Sequence, residues 1–113
     1  ILKTNDEGNT WVPLSSGTTK TLKAIYFSDA NTAYAVGNDS TIIKTIDAGN
    51  TWTSQIAGID KHFYSVYFTD ASTGYIVGYN GAYLKTTNAG VNWTSMCINP
   101  IFSSCSNFAF GLL

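Results

Sequence analysis

The stretch Thr4–Trp11 reads TNDEGNTW, and it returns. Forty-one residues on, Thr45–Trp52 reads TIDAGNTW, and 41 further on, Thr86–Trp93 reads TTNAGVNW. A polar, glycine-centred octapeptide ending in tryptophan suits a catalytic loop, a metal loop or a turn closing a hairpin. Its return at a fixed interval decides the fold, because a period of that size is the signature of a repeat architecture.

The period extends well beyond the octapeptide. Shifting the chain by 41 aligns it without a gap from Ile1 to the region of Trp93. Lys3-Thr4 recurs as Lys44-Thr45 and Lys85-Thr86, and YFSDANTAYAVG (Tyr26–Gly37) recurs as YFTDASTGYIVG (Tyr67–Gly78). Within a unit, LKAIYFS and HFYSVYFT alternate at period two, as half-buried strands do. The turn sequences DANT and DAST follow, with Asp and Asn able to bond their own backbone. AYAVG and GYIVG, then TIIKT and AYLKT, give a second and third strand. The octapeptide leads into a fourth, TWTSQI or NWTSMC, and no window sustains a helical period.

Four short strands per 41 residues predict an all-β chain built from the four-stranded antiparallel blades of a β-propeller, whose radial packing leaves only short edges. The count is about two and three-quarter blades. Residues 1–17 form a half blade, 18–58 and 59–98 one blade each, and 99–113 a tail or the first strand of a next blade. Closed propellers need about four to eight blades. The expectation is therefore a piece of a larger propeller, or copies that associate through their flanks.

Composition agrees with short strands and tight turns. Of 113 residues 44% are hydrophobic but only 12% are charged, with Thr, Ser, Asn and Gly filling the polar positions. Net charge is −1 and none of the six basic residues is an arginine, so nucleic acid is not expected as a partner. No apolar run reaches the roughly 18 to 20 residues of a membrane span.

The pattern Thr-x-Asp-x-Gly-x-Thr-Trp resembles the Asp-box, or BNR repeat. The first two copies match at every defined position: Thr4, Asp6, Gly8, Thr10 and Trp11, then Thr45, Asp47, Gly49, Thr51 and Trp52. The third keeps Thr86, Gly90 and Trp93 but carries Asn88 and Asn92. With its flanking AVGNDSTIIKT and IVGYNGAYLKT, the chain is similar to the propellers of photosystem II assembly and stability factors and of secreted bacterial proteins. The resemblance implies that the box closes the hairpin between the third and fourth strands, that partners are proteins, and that the chain is exported (extracellular, periplasmic or at the cell surface).

The residues support a turn independently. Short Thr and Asp side chains satisfy turn amides, glycine supplies a positive φ, and tryptophan supplies apolar area and one N–H. Calcium loops need more oxygen ligands and a bidentate Glu. Carboxylates fall from two to one to none across the three boxes, so neither metal nor other cofactor is expected.

Asp-boxes also resemble parts of sialidases, which grip their substrate with arginines that this chain lacks. Glycosidases more broadly need two positioned carboxyl groups, and here most carboxylates sit at repeat-equivalent turns. The expectation is a non-enzymatic scaffold or protein-interaction module. The alternative is a carbohydrate-binding or sialidase-like propeller, with glycan as ligand and active residues elsewhere. His62, the single histidine, reads as a partly exposed strand-end residue. Tyr64, Tyr79 and Tyr83, unique to the second full unit, are candidates for partner contact. Cys97 and Cys105 lie either side of a loop into a next blade. A disulfide there would staple the loop; the alternative is two independent thiols.

Overall fold

The structure, a computed structural model, describes residues 1–96; Cys97, Cys105 and the expected tail or next strand lie outside them. Among the described residues ten strands form three antiparallel sheets in chain order. β1 (Leu2–Lys3) pairs with β2 (Val12–Pro13). β3 (Leu22–Phe27), β4 (Ala33–Gly37), β5 (Ile42–Thr45) and β6 (Thr53–Ser54) make one four-stranded blade, and β7 (Phe63–Phe68), β8 (Gly74–Gly78), β9 (Tyr83–Thr86) and β10 (Thr94–Ser95) a second. The chain is thus all-β, with four-stranded antiparallel blades preceded by the outer two strands of another.

The repeat is reproduced down to its irregularities. Tyr26 faces Tyr34 across β3 and β4, and Tyr67 faces Tyr75 across β7 and β8. Both pairs slip register at the same place, between Leu22 and Ala24 and between Phe63 and Ser65. At the end of β4 a methyl group on Gly37 would run into the Thr21 carbonyl, and one on Gly78 into that of His62. The backbone approaches too closely there for any side chain.

The fourth strands are shorter than their sequence suggests. Trp52 and Trp93 lie outside the ladder. Pairing resumes beyond β6 and β10, where Gln55 N–H donates to Ile42 O at 2.8 Å and Met96 N–H to Tyr83 O at 2.7 Å. Between β8 and β9 the YNG turn, Tyr79–Gly81, places Asn80 and Gly81 at positive φ, 56° and 74°.

The core lies between the two complete blades. Phe68 stacks on Tyr34 with ring centroids 4.0 Å apart, and Trp93 meets both rings edge-on. Val36, Ile42, Phe63, Ile76 and Leu84 complete it. Burial shows which face of the inner strand does this. Val66 and Phe68 are 6% and 3% exposed, whereas their repeat equivalents Ile25 and Phe27 are 48% and 50% exposed. The first pair has a full blade against it; the second has only β1 and β2 nearby.

Candidate functional site

The boxes join β1 to β2, β5 to β6 and β9 to β10, all at one end of the blades. In the second box, Thr45 Oγ1 accepts from Gly49 N–H at 2.9 Å and donates to Asp47 Oδ1 at 2.7 Å. Asp47 in turn accepts from the N–H of Thr51 at 2.8 Å and from its hydroxyl. Trp52 Nε1 closes the loop onto Gly49 O at 3.0 Å. Thr4, Asp6, Gly8, Thr10 and Trp11 repeat the whole set.

These contacts set the electrostatics of both carboxylates. Hydrogen bonds from Thr10 and then Thr4 lower Asp6 to a pKa of about 2, and bonds from Thr51 and then Thr45 lower Asp47 to about 2. Each is a carboxylate already occupied as an acceptor. Asp29 and Asp70 behave alike in the β3–β4 and β7–β8 turns, lowered by the N–H groups of Asn31 and Thr32 and of Ser72 and Thr73.

The third box keeps the frame with different atoms. Asn88 Oδ1 accepts from Thr86 Oγ1 and Asn92 N–H, both at 2.9 Å, and Asn88 Nδ2 donates to Asn92 Oδ1 at 3.0 Å. Trp93 Nε1 leaves its own turn and donates to Gln55 Oε1 of the preceding blade at 3.0 Å. Trp93 is 7% exposed against 55% for Trp11. That inter-blade bond was not legible in the sequence, although Leu14, Gln55 and Met96 share one repeat position.

A second feature that the residue types do not announce lies one position before the glycine. Glu7, Ala48 and Ala89 have φ of 59°, 59° and 57°, followed by Gly8, Gly49 and Gly90 at 90°, 95° and 84°. Two left-handed residues in succession make the type I′ turn that fits the twist of a hairpin. Ala48 N–H and Ala89 N–H are tied to Asn31 O and Ser72 O, both at 2.9 Å. Their carbonyls face the preceding blade, where Lys3 Nζ reaches Ala48 O and Lys44 Nζ reaches Ala89 O, each at 2.9 Å.

At the other end of the blades, Tyr79 is 56% exposed and packs its ring edge-on to His62, centroids 6.2 Å apart. Tyr64 lies on β7 and is 37% exposed. Tyr83 is half-buried on β9 against Tyr75. Lys20 Nζ pairs with Asp39 Oδ2 at 3.1 Å beside His62. Among the described residues no three His, Cys, Asp or Glu side chains converge as a metal site would require, and no helix is long and apolar enough to cross a membrane.

The family model for the photosynthesis system II assembly factor YCF48 matches residues 2–103. No curated protein matches the chain. Among solved structures, one described as YCF48 bound to D1 peptide is 32% identical with a TM-score of 0.67. YCF48 from Cyanidioschyzon merolae is 25% identical with a TM-score of 0.65. Each match covers 74% of this chain but only 28% of the solved one. The repeat, the blade topology and the match over most of its length together establish that the chain belongs to the YCF48 photosystem II assembly factor family.

Proposed function

We propose that this segment is a non-enzymatic β-propeller module that binds protein partners, and that its Asp-boxes are hairpin clasps rather than chemical sites. The observation that carries this reading is where the carboxylates are spent. Asp6, Asp29, Asp47 and Asp70 all accept hydrogen bonds from their own turns. Grooves on the described residues are lined by apolar, Thr, Ser, Asn and Gln side chains together with Lys3, Lys23 and Lys85. That inventory suits contact with a polypeptide and lacks the paired acid and base of a glycosidase.

The relative solved with a D1 peptide supports a peptide or protein partner. The exposed aromatics Tyr64 and Tyr79 are the proposed contact residues; Tyr83 is the less accessible of the three. None of these relatives points to a carbohydrate ligand. Export to the periplasm, cell surface or medium is part of the same proposal, tested by fractionating the cells that make the protein.

Titration calorimetry with the D1 peptide tests the function. Saturable heat, weakened by Tyr79→Ala, is expected. Absence of peptide binding together with a response on a glycan array would replace this reading with the carbohydrate one.

A further inference from the structure

The hairpin between β4 and β5 contains two successive left-handed residues, and neither is glycine: Asp39 has φ 55° and Ser40 φ 63°. The same turn in the next blade uses Asn80 and Gly81, so one of its two positions escapes the steric penalty. An unfavourable backbone persists only where its surroundings hold it, and here the holding groups come from residues 59–62, the lead-in to β7. Ser40 N–H donates to Lys61 O at 2.7 Å, Ser40 Oγ donates to Ile59 O at 2.6 Å, and Lys61 N–H donates back to Ser40 Oγ at 2.9 Å. One further tie differs in kind. Asp39 N–H donates to His62 Nδ1 at 3.1 Å.

That tie requires a neutral imidazole with its proton on Nε2, because a protonated ring has no lone pair on Nδ1 to accept with. A replacement partner already stands beside the ring. Asp39 Oδ1 lies 3.9 Å from Nδ1, while Oδ2 of the same carboxylate is paired with Lys20. The other charged groups around the turn are Asp60 (Oδ1 3.4 Å from Ser40 Oγ) and Lys61 on the lead-in, and the Tyr79 ring packs edge-on to the imidazole.

We propose that His62 is a proton-operated latch on the Asp39–Ser40 turn. When Nδ1 takes a proton from solvent it becomes a donor facing the Asp39 N–H, itself a donor, and the tie is lost. The Asp39 carboxylate then moves from Lys20 to the imidazolium. The turn loses one of its ties to the lead-in, and the edge-on pairing of His62 with the exposed Tyr79 is reset. Acidification thereby changes the end of the blades that carries Tyr79 without touching the box clasps at the opposite end.

Amide hydrogen exchange resolved by NMR on the folded chain, between about pH 8 and about pH 5 where imidazoles titrate, tests this. After correction for intrinsic rates, protection of the Asp39 amide is expected to fall roughly fivefold on acidification, the worth of one hydrogen bond. The Asn38 amide, held by Thr21 O, should keep its protection. His62→Gln supplies an acceptor that does not titrate, so Asp39 protection should survive and become independent of pH. His62→Ala should lose it at both pH values. Unchanged Asp39 protection between the two pH values, or a pH dependence that persists in His62→Gln, would overturn the proposal.

Discussion

The phenol of Tyr34 in one blade donates to the carbonyl of Ala89 in the next at 3.0 Å, and the same oxygen receives Lys44 Nζ at 2.9 Å. Lys44 also lies 5.2 Å above the centre of the Tyr34 ring. One peptide oxygen thus gathers two donors across the blade seam. Burial, with the nearby Asp29 charge, holds the phenol pKa up at about 12, so the donor persists throughout the neutral range.

Tyr34→Phe is expected to lower stability by about 1 kcal/mol, because Lys44 still satisfies the carbonyl. Lys44→Met should cost a similar amount. The double variant should lose more than the sum, since it leaves that carbonyl unpaired at the seam. Urea unfolding of the four proteins measures the coupling, and strict additivity would mean that the two donors do not share their acceptor.

The box carboxylates predict an acid limb of fixed sign. Their folded pKa lies below the ordinary carboxylate value, so the stabilisation is fully present above about pH 4 and is lost as the pH falls through about 2. Asp29 and Asp70 act in the same direction. Asp47→Asn should flatten part of this limb, and at neutral pH it should harm stability less than Asp47→Ala, because Asn88 already fills that place in the third box. Urea midpoints at pH 7, 4 and 2 compare the three proteins.

Gly90 combines φ +84° with the Gln55 amide directly above it, whereas Gly58 has φ +80° and open space. Gly58→Ala is expected to cost about 1–2 kcal/mol for the backbone alone. Gly90→Ala should cost more. Its excess should shrink when introduced into a Gln55→Ala background, and the same loss in both backgrounds would show that crowding plays no part.

Phe27 and Phe68 occupy one repeat position with opposite burial. Phe68→Ala should destabilise by about 3–5 kcal/mol through cavity formation. Phe27→Ala should cost well under half of that, since half of its side chain is already in solvent. Thermal or urea unfolding separates them readily.

Much of the architecture could be read from the spacing of residues. The 41-residue return, the period-two runs and the conserved turn chemistry within the chain specify strands and their order, and the sheets follow that order. Features that depend on one blade meeting another could not be read. Within a blade, Ala48 and Ala89 adopt positive φ although alanine gives no sign of it; Asn31 O and Ser72 O accept their N–H groups, and Glu7 takes the same φ without such a bond. Gln55 looks like an ordinary strand-end amide until Trp93 is placed beside it. His62, which the repeat does not require, acquires a partner only when the Asp39 turn of the previous blade folds against it. Tyr64, Tyr79 and Tyr83 looked equivalent as exceptions to the repeat, yet Tyr75 shelters one of them.

Near-identical units stacked in series risk joining in the wrong order, a recognised failure of repeat proteins. The two seams described are not chemically identical. Leu14 abuts Gly49 at one seam, where Trp52 has satisfied its own N–H within its turn; Gln55 abuts Gly90 at the next, where Trp93 has not. With Leu14 in place of Gln55, the Trp93 N–H would lose the acceptor it uses across the seam. A single divergent side chain thus makes the second seam polar where the first is apolar.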